Sequence, residues 1–510
     1  MTSSKSLYSI FFQSVKKQPE KAFVDDGSGS CYTYENALDL ILRYAAFFNH
    51  HGIRPGDRLA VMLPNSPKFI WTSLALARLK AVIVPVHLQY KSLALRHILS
   101  DSGVKGIVFP SEMAPHVKQA ASILKKCELL IADANCNENG ILKLDDAESF
   151  SRYGGPFDPK GDDPLALFYS QGTVHHTHGV IYSSQQLLSN SQAAAHVLSL
   201  KESDRLATIY PFSYPLAFSL GLIAVLLSRG TIITATEIDT SLNSLAPSAL
   251  LALPLDLQKA LDKPEFALPQ SLHFIITGGS RLPKTLPEQF LERFQLSVFQ
   301  VYTFVEAGPL ISINIDEKNP FALGMPLQDF TFSLREGGKP VQTGQIGEIS
   351  VQAETVNPVF INGSDQALLK YTDNWYLTGD LGYRDIEGYI HFVDRADNRI
   401  NINGFDVYPD FIETELNHCS GVQEATVVGI PLNNYSDKII AYIVAEAGAA
   451  ISAATLTEHL RDKLPKYQIP QEFVVTDHLP RNITGKIARQ TLRTMALSRH
   501  MKMEEQNERV

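Results

Sequence analysis

Phe168 to Ser184 reads FYSQGTVHHTHGVIYSS, a Gly-, Ser- and Thr-rich loop set between two apolar segments. After a buried strand, such a loop leaves successive backbone N–H groups facing outward, and a nest of this kind suits phosphate oxygens. Other stretches with chemically useful residues are ITGGSRLP at 276–283, VYTFVEAGP at 301–309, NWYLTGDLG at 374–382, DRADNRININGF at 394–405 and LPRNITGKIAR at 479–489. Taken singly, each has an ordinary alternative. Gly278-Gly279 suits a turn, Glu306 a surface position, Asp380 after Thr-Gly a helix cap, and Lys486 an exposed lysine. The last stretch is not a Walker loop, because Pro480 stands where that motif needs Gly and Ile487 where it needs Ser or Thr. A metal cluster of His175, His176 and His178 is disfavoured, since they crowd one short loop without a remote fourth ligand.

The elements that must position these residues alternate. Tyr32–Tyr34 reads as a strand, Ala37–Phe48 as a helix and Arg58–Leu63 as a strand; Asn65 opens a helix over Lys68–Arg78, and Ala81–Val86 is a buried strand. A helical Leu93–Leu99 and a strand-like Gly106–Phe109 continue the rhythm. Helix following strand repeatedly argues for a largely parallel sheet covered by helices. Beyond the loop, Gln185–Leu198 is helical, Leu206–Ile209 is a strand running into Pro211, and further strands fall at Phe274–Thr277 and Val298–Tyr302. From Gly324 to Val393 the pattern turns to short strands (Glu336–Lys339, Gly344–Val351, Tyr389–Val393), which suggests an antiparallel or barrel-like subdomain. Past the polar stretch Asp394–Pro409, a helix at Phe411–Asn417, strands at Ala425–Ile430 and Lys438–Ala445, a helix at Thr455–Lys463 and a strand at Glu472–Val475 form an α+β unit of domain size. The expected fold is therefore α/β: a large N-terminal domain of parallel or mixed sheets with helices and a small barrel-like subdomain, then a small mobile α+β domain. The boundary is placed at Asp397, giving domains 1–396 and 397–510. The charged tail Met501–Val510 is expected to fray.

Bulk properties exclude some classes. A chain of 510 residues is too long for one core. Its 45% hydrophobic and 19% charged residues are ordinary for a globular protein, and a formal charge of −9 argues against a general nucleic-acid binder. Cys31, Cys127, Cys136 and Cys419 are scattered and fit a reducing interior. The amino terminus lacks the pattern of a signal peptide. The longest apolar run, Ala217–Leu227, is shorter than the roughly 18 residues that suggest a membrane span and reads as a buried helix. A cytoplasmic protein without an integral membrane segment is expected.

Together and in this order, the six stretches resemble the adenylate-forming superfamily of acyl-CoA synthetases, peptide-synthetase adenylation domains and beetle luciferases. The resemblance runs from about Tyr32 to Arg493 and is strongest at YLTGD, DRADNRININGFDVYPDFIE and LPRNITGKIAR. It implies ATP-dependent activation of a small-molecule carboxylic acid to an acyl-adenylate, with Mg²⁺, and transfer to CoA. It further implies that Tyr169, Gly172 and Thr173 belong to the phosphate loop, with Thr173 and Glu306 toward Mg²⁺. Gly278, Gly279 and Ser280 line the adenine pocket, and Tyr302 stacks on the base. Asp380 accepts the ribose hydroxyls and Arg395 supports ribose and phosphate. Lys486 bridges carboxylate and α-phosphate, where developing charge matters most. Asp397 matches the hinge about which the small domain rotates.

Departures from the family pattern gather at the phosphates. Against YTSGTTGxPKGV the chain reads YSQGTVHHTHGV, with Gln171, Val174, His175, Thr177 and His178 replacing Ser, Thr, Gly, Pro and Lys. Val305 stands where a threonine is usual, Thr303 where glycine is, and Asn401 and Asn403 where basic residues are common. His178 can still donate to a phosphate, carrying charge mainly below about 6.5. For the acid pocket, Ile209–Leu220 contains no Asp to bind an α-amine, so an amino-acid substrate is disfavoured. Ser213, Tyr214 and Phe218 are expected to line that pocket. An aliphatic or fatty acid is the first expectation and an aryl acid the second. The alternatives are a stand-alone enzyme loading an acyl or peptidyl carrier protein, and a relative that binds nucleotide or acyl groups but adenylates poorly.

Overall fold

In the computed structural model, residues 5–507 are described except 91, 135, 137, 157–158, 170–178, 264, 280–281, 283–284, 354–358, 362–370, 404, 433–435, 462 and 483–485, with side chains to 500. The chain packs into two compact units: Met1–Phe332 with Val351–Tyr376, and Ser333–Ser350 with Leu377–Val510. The expected boundary at Asp397 is of a different kind, a functional hinge, and remains a proposal.

The first unit holds two large sheets. One runs in the order Val359–Phe360, Gly179–Ser183, Pro164–Tyr169, Val82–Pro85, Arg58–Val61, Gly106–Phe109, Leu129–Ala132 and Leu142–Lys143. From Pro164–Tyr169 onward its neighbours are parallel, as the strand–helix alternation requires. The other runs Met325–Pro326, Gly308–Asn314, Ser297–Phe304, Phe274–Gly278, Ala249–Leu251, Arg205–Thr208, Thr231–Thr234, Ala22–Asp25 and Cys31–Thr33, parallel in its centre and antiparallel at both edges. Near-continuous apolar strands fit sheets covered on both faces. Met62, Val84, Ile107 and Phe109 lie in one core, Ile209, Leu250, Ile275 and Phe290 in another.

Local chemistry sets the helix ends. Pro67–Arg78 starts at Ser66, whose hydroxyl accepts from the Phe69 N–H, with Pro67 in the first turn. Asn65 is therefore not the cap the sequence suggested. Its amide donates to the Thr208 and Tyr210 carbonyls at 2.8 and 3.0 Å and accepts from the Phe212 N–H at 2.8 Å. One Asx side chain thus fastens the segment that leaves the Arg205–Thr208 strand. That segment enters a helix from Pro215 to Ser228, buried as far as Leu226, whose middle, Phe218–Ala224, is wound as a π-helix. Long π segments are rare and tend to occur at functional sites.

The second unit contains most of a six-stranded sheet, built from Phe330–Glu336, Lys339–Pro340, Ile346–Ala353, Tyr371–Thr372, Trp375–Arg384 and Ile390–Arg395. This is the barrel-like subdomain expected between 324 and 393. Glu336–Lys339 is not a strand but a hairpin end: Glu336 pairs with Lys339 across Gly337 and Gly338, both at positive φ. Downstream, antiparallel strands Val422–Pro431 and Asp437–Ala445, parallel Glu472–Val475 and helices Pro409–Asn417 and Ala453–Arg461 enclose a core that includes Ile400, Val407, Ile412, Leu416 and Ile443. The last helix runs from Arg489 to Asn507, so helical backbone continues past Met501, and residues 508–510 of the tail lie outside the described residues. No helix among the described residues is long and apolar enough to cross a membrane. The four cysteines are free.

Candidate active site

In the first unit the loop opened by Tyr169 lies between antiparallel strands, Tyr169 facing Gly179. The Tyr169 hydroxyl donates to Asp101 Oδ2 at 2.8 Å. Gly172, Thr173, His178, Ser280 and the altered positions 171 and 174–177 lie outside the described residues.

Gly278 ends a buried parallel strand, and Gly279 follows at φ +72°. A Cβ on Gly278 would lie 2.4 Å from the Val301 carbonyl, and one on Gly279 would lie 2.2 Å from the Tyr210 hydroxyl. The pair thus makes a bare backbone turn that no side chain can fill. Tyr210, which the sequence reading passed over, donates to the Gly278 carbonyl at 3.4 Å. Next to Gly278's strand, Ser297–Phe304 carries Tyr302, half-buried beside Phe304 and Phe332 at ring distances of 5.8 and 6.1 Å.

Phe304 pairs with Gly308, so Val305, Glu306 and Ala307 form a short hairpin connection. Two phenols pin it: Tyr182 donates to the Val305 carbonyl at 2.6 Å and Tyr371 to the Glu306 carbonyl at 3.1 Å. Glu306 is 8% exposed. Of the expected acid-pocket residues, Ser213 is partly buried, and Phe218 packs on Phe168 and Phe69 at 5.5 and 6.4 Å. Tyr214 is buried, with Tyr210 at 5.4 Å and His87 at 5.2 Å between ring centroids.

In the second unit Asp380 and Arg395 are direct cross-strand partners. Arg395 donates to Asp380 Oδ1 at 2.9 Å, to the Thr378 carbonyl at 3.0 Å and to Asp397 Oδ1 at 3.3 Å. Asp380 is 5% exposed. Gly379 between Thr378 and Asp380 sits at φ +77°, and a Cβ there would come within 2.9 Å of the Arg395 guanidinium. Asp397 is solvent-facing in a short 3₁₀ turn, Ala396–Asn398. Asp394, just ahead, is buried and accepts from the Arg395 and Asp410 N–H groups and the Asn398 amide. Burial raises its pKa, against the lowering influence of Arg489.

Lys486 stands in a loop closed by Asn482: the Lys486 N–H donates to Asn482 Oδ1 at 2.9 Å, and the Asn482 N–H donates to the Lys486 carbonyl at 2.8 Å. Three residues on, Arg489 forks onto both Glu413 carboxylate oxygens and donates to the Val427 carbonyl at 2.9 Å. The Lys486 residue surface is open, yet desolvation of its ammonium lowers its pKa; Asp380 opposes that shift and Arg395 adds to it. Lys486, Asp380 and Arg395 therefore sense one another's charge within this unit. The carbonyl- or loop-fastening roles of three residues were missed in the sequence: Asn65, Tyr210 and Asn482. For the first there was a signal, since Asn65-Ser66 offers two capping residues where one suffices.

The family model for AMP-binding enzymes matches residues 11–358, and that for the AMP-binding enzyme C-terminal domain matches 412–486, ending on Lys486. The chain belongs to the AMP-binding enzyme family. Among curated members of this AMP-binding family, an oxalate–CoA ligase of Arabidopsis thaliana is 25% identical over 95% of this chain and 98% of its own length. A long-chain-fatty-acid–CoA ligase of Mycobacterium tuberculosis is 26% identical over 93% and 95%, and a feruloyl-CoA synthase of Amycolatopsis is 28% identical over 91% and 94%. Among solved structures, the fold is that of an anthranilate CoA ligase with anthranoyl-AMP, at a TM-score of 0.91, 20% identity and coverage of 98% and 99%. MatB of Rhodopseudomonas palustris with ATP bound gives 0.87 at 22% identity, covering 96% and 98%.

Proposed function

We propose that the protein is an acid–CoA ligase that condenses a hydrophobic carboxylic acid with ATP to an acyl-adenylate and pyrophosphate, then passes the acyl group to the CoA thiol. The observation that carries this reading is the cross-strand pair of Asp380 and Arg395, a buried carboxylate ordered by a guanidinium at 2.9 Å, in the same compact unit as Lys486. The curated relatives at near-full coverage support the acceptor, being named as CoA ligases or synthases. Their acids differ widely, so the acid itself is read from this chain.

A carboxylate and a nucleotide triphosphate repel each other. The protein must neutralise charge and hold the attacking oxygen in line with the α-phosphorus. In this reading Lys486 supplies the moving positive charge, Asp380 accepts from the ribose hydroxyls with Arg395 fixing its carboxylate, and the bare Gly278-Gly279 turn lets the base lie against backbone with Tyr302 beside it. Glu306 is a hard oxygen donor held on a pinned hairpin, which fits Mg²⁺; that ion supplies charge neutralisation at the phosphates when bound. Thr173 is its proposed second contact, and His178 the proposed phosphate donor in place of lysine. Asp397, bound to Arg395 at 3.3 Å, is the proposed hinge between a large domain 1–396 and a small domain 397–510. The separate core from Ile400 onward supports that division.

The test is acid-stimulated ATP–pyrophosphate exchange across a panel of fatty and aryl acids, followed by CoA. Exchange with at least one acid, and thioester formation with CoA, is expected. Absence of exchange with every acid would sink the reading and favour a relative that binds without adenylating, for which the substitutions at 171, 174, 175, 178 and 305 speak.

A further inference from the structure

His87 follows the buried strand Val82–Pro85, and Tyr214 caps the helix with the π segment. Their rings lie 5.2 Å apart at 55°, Tyr210 stands 5.4 Å from Tyr214, and Tyr90 lies 6.4 Å from His87. The row begins where the Tyr210 hydroxyl meets the Gly278 carbonyl and leads away from that turn through Tyr214 to His87.

Several buried phenols use their hydroxyls: Tyr34 on Gly230, Tyr182 on Val305 and Tyr442 on Leu492. Tyr214 is 8% exposed, its oxygen is enclosed, and it has no hydrogen-bond partner among the described residues. An unmade buried hydrogen bond costs about 1–3 kcal/mol, which a phenylalanine would avoid. His87 adds a second polar group. Its Nδ1 accepts from the Gln89 N–H at 3.2 Å, which leaves Nε2 carrying the proton of the neutral ring. Burial lowers its pKa to about 4, which leaves the ring neutral at physiological pH.

We infer that His87 Nε2–H and the Tyr214 hydroxyl form a specificity pair that selects an acid bearing a neutral hydroxyl at the end remote from its carboxylate. The inference rests on the adenylation reading and deepens it. A hydroxyl can accept from Nε2–H while donating to, or accepting from, the phenol. A second carboxylate or an ammonium group is poorly served, because neither polar group is charged and the surroundings are aromatic. A plain alkyl or aryl end would leave both protein groups unpaired, and a site built around a substrate hydroxyl discriminates strongly against the analogue without it.

The experiment compares kcat/KM in ATP–pyrophosphate exchange for matched pairs: benzoic against 3- and 4-hydroxybenzoic acid, and octanoic against 8-hydroxyoctanoic acid. The wild type is expected to favour a hydroxylated member by at least tenfold. Tyr214→Phe and His87→Phe should each bring that ratio near one, whatever the absolute rate, and His87→Gln, which keeps a donor, should restore part of it. Equal use of every pair by the wild type, or an unchanged ratio in Tyr214→Phe, overturns the inference. If no acid supports exchange, the adenylation reading fails first. Calorimetric binding of the same pairs then decides: a hydroxyl preference lost in Tyr214→Phe sustains the specificity pair, and no preference overturns it.

Discussion

Burial pulls the His87 imidazole from 6.5 in the free side chain down to about 4 in the folded protein. Above the higher value both states are neutral. Between the two, only the unfolded chain takes the proton, so stability falls as pH drops through this window and levels off below the lower value. The shift corresponds to roughly 3 kcal/mol at full effect. His87→Phe should therefore flatten the loss of stability between neutral and mildly acidic pH, read by urea unfolding at several pH values; an unchanged slope would count against a neutral, partly buried ring. His178 belongs to the same scale. As the phosphate donor it loses charge as pH rises above about 6.5. Exchange activity should decline toward alkaline pH, and His178→Lys should flatten the profile. A flat wild-type profile would dismiss the histidine as donor.

The loop Asn482–Lys486 and the helix start at Arg489 act as one element. Lys486→Ala removes the positive charge and should abolish exchange, with folding retained by circular dichroism; full exchange in the variant would mean another group does the work. Arg489 anchors this element by its fork onto Glu413, which is itself bound by the Thr426 hydroxyl and the Val427 N–H. Glu413 is 6% exposed, so Arg489→Ala leaves a buried carboxylate without its cation. Breaking such a pair typically costs about 3–5 kcal/mol. A lower unfolding midpoint is expected together with weaker exchange, since the lysine loop loses its mooring. Unaltered stability would show that the ion pair is replaceable.

At the scale of the molecule, two chemical steps by one set of residues call for a change in conformation. Asp394 ties the start of the proposed hinge to the Asp410 N–H, whereas Asp397 itself is exposed, its carboxylate meeting Arg395 at 3.3 Å. A proline fixes φ near −65° and removes freedom from such a position. Asp397→Pro should leave pyrophosphate exchange within a few-fold and reduce CoA thioester formation at least tenfold. Equal effects on both steps would remove the hinge assignment.

The sequence by itself determined the family and the alternation of strands and helices, and supplied the residues of the proposed nucleotide site. Those features are local: apolar periodicity follows backbone geometry, and motifs such as YLTGD keep chemistry and spacing in one short run. It misread Asn65 as a cap and Glu336–Lys339 as a strand, because caps and hairpin ends depend on what the rest of the chain offers them. Tertiary structure alone decided that Asn65 fastens Thr208, Tyr210 and Phe212, that Arg395 lies directly across from Asp380, and that His87 meets Tyr214 from 127 residues away in number. Separations of that size carry no signal in a single sequence, since hydrogen bonds and burial act through space while periodicity acts along the chain.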